Sequence, residues 1–170
     1  MHKIPNDVKI IFSPDPATRI LYTIYYPEDK QEFLRLAQEN PHSSATDEHG
    51  FPVAVKAALY TRDIPFLKTI YSYFHPNTTD SYRGWTPLMM SLYNPNPDVF
   101  YMTLEQTNQI FLNHCDNCGW NVAKHAIMTG RSDAVHILST RGLTPQQQCE
   151  WEPDPMYHLL YHRFHDRRTR

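Results

Sequence analysis

Apolar residues along this chain come in short groups with helical spacing, separated by polar turns, and the grouping repeats. After each of Gly50, Gly84 and Gly119 an apolar run follows, over residues 53–59, 87–93 and 122–128. Each run stops at a turn, at residues 60–63, 94–98 and 129–133. A second apolar pattern comes next, as in Phe66, Leu67, Ile70, Tyr71 and Phe74, or in Val135, Ile137 and Leu138. The glycines stand 34 and 35 residues apart (84 − 50 and 119 − 84), a period at which a chain stacks supersecondary units side by side. The predicted unit is therefore helix, turn, helix and hairpin-like loop.

Local chemistry agrees with that unit. The loops share a polar residue, two variable residues, glycine and an aromatic: Asp47 to Phe51, Ser81 to Trp85, and Asp116 to Trp120. A tight turn entering a helix often needs positive φ, which glycine adopts at little steric cost. Pro87 falls in a first helical turn, where its missing N–H costs nothing. Asp63, Asp98 and Asp133 are expected to cap the second helices. Pro95 and Pro97, with Asn94 and Asn96, predict a longer, stiffer inter-helix turn in the central unit and a displaced or shortened second helix over residues 99–104.

At these residues the chain resembles the ankyrin repeat. Gly84-Trp85-Thr86-Pro87-Leu88 matches the family's Gly-x-Thr-Pro-Leu directly. The third unit keeps Gly119, Ala123, Ala126, Gly130 and Asp133-Ala134-Val135 at matching offsets, and the first keeps Gly50 and Ala57-Ala58 but has Pro52-Val53 where Thr-Pro would stand. The implied fold is all-α, an ankyrin-like helix-turn-helix repeat solenoid with short hairpin loops. Its expected parts are N-terminal capping helices in residues 1–46, repeats at 47–80, 81–115 and 116–150, and a C-terminal capping helix with a basic tail at 151–170. Within the caps, helices are expected near residues 18–25, 30–39 and 155–164.

The resemblance also implies a place for a partner protein, on the hairpin tips and the exposed side of the first helices. By register these positions are Glu48, His49, Phe51 and Tyr60, then Tyr82, Arg83, Trp85 and Tyr93, then Asn117, Cys118, Trp120 and Met128. Phe51, Trp85 and Trp120 hold the same position after each glycine. Two readings of such an aromatic series stand side by side: large rings and arginine dominate binding hot spots, and a repeated ring can equally serve as a packing device between units.

Composition alters this picture little. The 16 Lys and Arg against 18 Asp and Glu give a net charge of -2, which favours neither nucleic acid nor an anionic membrane. No apolar run approaches a membrane span and no leader is evident, so a cytoplasmic protein that does not insert in a membrane is expected. Three cysteines suit a reducing compartment. Degenerate repeats rich in Asn, His and Tyr resemble ankyrin-like proteins of intracellular bacteria and large viruses. That likeness implies a host-directed effector acting in host cytosol; an adaptor or regulator within its own cell is the other expectation.

Some residues of the chain offer chemistry other than binding. Cys115 and Cys118 form Cys-x-x-Cys beside His114, with His125 further on and His158, His162 and His165 sharing a face of the last predicted helix. Zinc needs four nitrogen or sulfur ligands converging on one point, and a single such pair argues weakly for it. A zinc-binding domain or metal-dependent enzyme built on Cys115, Cys118 and the C-terminal histidines is thus the alternative. Asp47 with His49, or Asp116 with His125, could form an acid–base pair, although repeats place polar residues at loop tips routinely. Arg163, Arg167, Arg168 and Arg170 make a basic tail that reads as a solvated terminus before it reads as a nucleic-acid contact. No nucleotide loop or catalytic motif is legible, so the sequence predicts no enzyme and no cofactor.

Overall fold

A computed structural model describes Arg19, Ile20, Thr23, Ile24, residues 30–40, Thr46 and residues 50–145. These residues are helical and contain no extended strand. Eight helices follow in order: α1 (Lys30–Glu39), α2 (Val53–Tyr60), α3 (Ile64–Tyr73), α4 (Pro87–Ser91), α5 (Asp98–Gln106), α6 (Gln109–Leu112), α7 (Val122–Met128) and α8 (Ser132–Thr140). Arg19, Ile20, Thr23 and Ile24 are also helical. The expected helix at residues 155–164, the basic tail and Cys149 lie outside the described residues.

The three glycines enter their helices as the spacing predicts. Gly50, Gly84 and Gly119 have φ of 76°, 72° and 74°, where a side chain would be strained. A Cβ at Gly84 would also stand 2.9 Å from Asn117 Oδ1, and one at Gly50 would collide with the Ser81 hydroxyl, because each loop packs against the next. Each hairpin closes on itself. Thr46 pairs antiparallel with Pro52, and Cys115 with Asn121, while Asp80 N–H donates to the Trp85 carbonyl at 3.0 Å.

Caps then set the helix starts. Thr86 accepts from Met89 N–H at 3.1 Å and Asn121 from Lys124 N–H at 3.0 Å, so Pro87 and Val122 begin the first helices of their units. Asp63 caps α3 as expected, accepting from Phe66 N–H at 3.0 Å. Asp98 and Asp133 stand in the first turns of α5 and α8, near the positive dipole end as expected, but not at the cap positions. Pro97 and Arg131 occupy the cap positions of α5 and α8 without a side-chain bond, and Asp98 and Asp133 stand one and two residues inside. Asp133 turns instead to the Arg131 guanidinium at 2.7 Å and to the Tyr101 hydroxyl at 2.9 Å.

The first helices α2, α4 and α7 pack side by side in that order, each against its own second helix, α3, α5 and α8, and α3 also packs on α5. One core joins Leu59, Trp85, Leu88, Met89, Phe100, Leu104, Trp120, Ala126 and Leu138; another joins Ile20, Ile24, Phe33, Leu36, Leu67, Ile70 and Val99. Only five residues long, α4 is buried at every position, since it lies between α2 and α7 with α5 behind it. The central inter-helix turn is longer than its counterparts, residues 92–97 against 61–63 and 129–131. The expectation of a short second helix there is corrected: α5 has nine residues, as α8 does. Asn96 and Asn94 explain this. Their side chains accept from Asp98 and Asn96 N–H at 3.1 and 2.9 Å and hold the two prolines in a fixed turn that leads directly into the helix.

Candidate functional site

The hairpin tips form one continuous row. Asn117 N–H donates to the Arg83 carbonyl at 2.8 Å, its side-chain amide donates to the Tyr82 carbonyl at 2.7 Å, and His114 Nε2 lies 2.8 Å from the Gly84 carbonyl. Ser81 N–H reaches the Gly50 carbonyl at 3.4 Å. These contacts bring Tyr82, Arg83 and Asn117 together at the tips, and the predicted interaction positions among the described residues divide by depth.

Three rings of the expected ladder are core rather than surface. Trp85 is 2% exposed, Trp120 3% and Tyr93 4%. The packing reading holds for them: Trp85 lies 6.1 Å from the Phe51 ring of the preceding unit, and Trp120 meets His125 edge to face at 5.6 Å. At both tryptophans the hairpin closes on an aspartate, the Trp85 N–H donating to Asp80 at 2.6 Å and the Trp120 N–H to Asp116 at 2.9 Å. Phe51, Tyr60, Arg83, Cys118 and Met128 are half-buried, whereas Tyr82, at 68% exposure, and Asn117 are open to solvent. Glu48 and His49 lie outside the described residues.

A cation accompanies each ring of the series. The Arg83 guanidinium sits over Tyr82 at 5.1 Å and over Trp85 at 4.7 Å; Lys56 lies over Phe51 at 4.4 Å, and Lys124 over Trp120 at 5.5 Å. Sequence reasoning missed these pairs, since Lys56 and Lys124 stand at different offsets from their glycines. It also missed Asp80, one residue before the polar position of the repeat. Asp80 accepts from Tyr82, Arg83 and Trp85 N–H at 2.9, 2.6 and 2.6 Å and organises the central tip. The loop there spans five residues from aspartate to ring instead of four (85 − 80 against 120 − 116), which displaced the pattern.

Asp116 and His125 do come together. His125 Nε2 is 2.9 Å from Asp116 Oδ2, and the Tyr93 hydroxyl is 3.0 Å from His125 Nδ1. The carboxylate can only accept, so Nε2 donates to it, and the Tyr93 hydroxyl completes the contacts of the ring at Nδ1. Burial, with the Asp116 charge beside it, pushes the Tyr93 phenol far above its ordinary range. Both members of the Asp116–His125 pair have side chains fully sealed from solvent, so no substrate atom reaches them. Their geometry fixes the third hairpin to α7: Asp116 Oδ1 also accepts from Cys118 and Trp120 N–H, both at 2.9 Å.

Cys115 and Cys118 are half-buried on this hairpin, and burial raises the Cys115 thiol above its usual range, with Asp116 adding to the effect. Among the described residues no three His, Cys, Asp or Glu side chains gather in a way that could hold a metal ion. His158, His162 and His165 lie outside them. No helix of the described residues is long and apolar enough to cross a membrane. No family model matches the chain, and no curated protein matches it.

Proposed function

We propose that this chain is an ankyrin-like repeat solenoid that works as a protein-binding adaptor or inhibitor, holding its partner along the hairpin tips and the adjacent side of the first helices. The observation that carries this reading is the central tip, where Tyr82 stands 68% exposed with the Arg83 guanidinium stacked 5.1 Å from its ring. Tyrosine and arginine are the residues that anchor interfaces, and here they are presented on a turn made rigid by three hydrogen bonds to Asp80. Asn117 stands beside them, bonded to both of their carbonyls, and half-buried Phe51, Tyr60 and Met128 belong to the same proposed surface. Trp85, Tyr93 and Trp120 support the surface from below.

The test is a pull-down from native or suspected host cells with wild type against a Tyr82→Ala, Arg83→Ala double variant. Capture should be lost while the helical circular dichroism is retained. Unchanged capture by the folded variant would remove this surface from consideration. Trp85→Ala serves as contrast: loss of a buried aromatic costs about 3–5 kcal/mol and should act on folding before binding.

A further inference from the structure

We propose that the cleft between the first hairpin and the chain that follows α3 is a binding site for a neutral, polyhydroxylated small molecule, a sugar or cyclic polyol of single-ring size. The site is separate from the central and third tips, and it stands independently of the protein-binding reading.

The cleft holds about 370 Å³, at the lower end of the roughly 300–1,000 Å³ of small-molecule sites. Three parts of the chain wall it: Thr46 and Gly50 of the first hairpin, residues 52–54 at the start of α2, and the stretch from Phe74 to Ser81. Two kinds of surface meet there. Pro52, Val53, Ala54 and half-buried Phe74 are apolar, while Thr46, Thr78, Thr79 and Ser81 bring hydroxyls. Among the described residues no hydrogen bond uses the hydroxyl of Thr78, Thr79 or Ser81, so each is available to a ligand.

His75, also in the wall, adds a donor of fixed kind. Its Nδ1 accepts from the Asn77 N–H at 3.2 Å, with Asn77 Nδ2 2.8 Å away, so the neutral ring carries its proton on Nε2. Asn77 in turn donates to the Gln106 carbonyl at 3.1 Å and accepts from the Asn108 N–H at 2.8 Å. These bonds tie the wall to the junction of α5 and α6, and a wall ordered before binding lowers the entropy lost when the ligand arrives.

The combination of surfaces selects the ligand. A hydroxyl both donates and accepts, so a group of hydroxyls matches the hydroxylated rim of a sugar in either direction, whereas a ligand that only accepts would use half of that capacity. The C–H faces of a sugar ring match the apolar residues, Phe74 among them. Asp47, Glu48 and His49 stand in the chain between Thr46 and Gly50, and carboxylates near a site accept from ligand hydroxyls but repel an anion. An extended peptide suits a long groove better than a cavity of this size.

The test follows the assigned amide spectrum of the full chain by NMR during titration with the methyl glycosides of glucose, galactose and mannose and with myo-inositol. Inorganic phosphate, methylammonium and a capped Thr-Ser-Thr peptide serve as contrasts. At least one of the neutral polyols should bind saturably with Kd at or below about 10 mM, shifting the amides of Gly50, Ala54, Thr78 and Thr79 more than those of Tyr82 and Asn117. The double variant Thr78→Val, Thr79→Val removes two hydroxyls at nearly constant volume and should weaken that binding about tenfold. Ser81→Ala, at an exposed position, should weaken it about threefold and decides the matter if the double variant does not fold. Thr140→Val, exposed at the end of α8, should leave it within about twofold. No saturable binding by any of the polyols, tighter binding of phosphate, methylammonium or the peptide at the same amides, shifts confined to other residues, or unchanged affinity in the folded cleft variants each overturns the proposal.

Discussion

Replacing Asn94 with alanine should destabilise the protein far more than its place in a proline-rich turn suggests. The side chain is buried, and its amide nitrogen lies 2.9 Å from the Ala58 carbonyl, 2.9 Å from that of Thr61 and 3.2 Å from that of Leu59. These are carbonyls that the end of α2 leaves without an intrahelical partner. An amide carries two hydrogens, so the three acceptors share two bonds, and truncation strands about two buried acceptors. Each costs about 1–3 kcal/mol, giving a loss of about 2–6 kcal/mol, a large share of the 5–15 kcal/mol typical of a domain. The neighbouring Asn96 gives the internal control. Its amide donates to the Arg62 carbonyl at 2.7 Å and its Oδ1 accepts from Asp98 N–H at 3.1 Å, both in an exposed setting where water can substitute, so Asn96→Ala should cost no more than about 1 kcal/mol. Urea unfolding followed by circular dichroism measures both. An Asn94→Ala variant within about 0.5 kcal/mol of wild type, or one no worse than Asn96→Ala, refutes the argument that this side chain ties the second unit to the first.

Other consequences can be measured in the same way. Tyr93→Phe should cost about 1–3 kcal/mol by removing a buried hydroxyl bonded to the His125 Nδ1 at 3.0 Å, whereas Tyr71→Phe should cost less, because its partner Thr103, 2.8 Å away, still donates to the Val99 carbonyl at 2.7 Å. Gly84→Ala, strained by φ of 72° and crowded by Asn117, should lower the thermal midpoint more than Gly142→Ala, where φ is 81° but the space is open. The Asp133 carboxyl is held well below its usual range, first by Arg131 and then by the Tyr101 hydroxyl. Its stabilisation is therefore complete above the ordinary carboxylate range near 3.9 and is lost as pH falls toward the lower folded value. Acid titration of Asp133→Asn should show a shallower decline than wild type over that window, and parallel curves would contradict the assignment.

The helical units were legible because their signals are local. Gly50, Gly84 and Gly119 mark conformations that other residues avoid, and Thr86-Pro87 announces a helix start by capping chemistry within three residues. Depth was not legible at the rings. A tryptophan after the turn glycine can point outward or fold under the hairpin, and the choice depends on an aspartate anchor and a neighbouring unit more than thirty residues distant. For the same reason Asn94 reads as a turn residue, since its acceptors lie 33 to 36 positions earlier. α6 escaped because Asn108 caps a single turn, accepting from Phe111 N–H at 3.1 Å, too short to show a period. Of the candidate surface, Tyr82 and Asn117 are the described positions found exposed.

The polar ties between units bear on how this chain could have changed length. Asn94 reaches back into unit one, Tyr71 meets Thr103, Tyr93 meets His125 and Tyr101 meets Asp133, so each joint uses a different donor and acceptor. In the third unit Thr129 stands where Asn94 stands in the second, and its hydroxyl is committed to its own helix at 3.0 and 3.1 Å. Excising the central unit would join the end of α2 to a neighbour with no amide to offer it. The modules of this stack are thus keyed to one order, and shortening or shuffling it would demand compensating changes at every new seam.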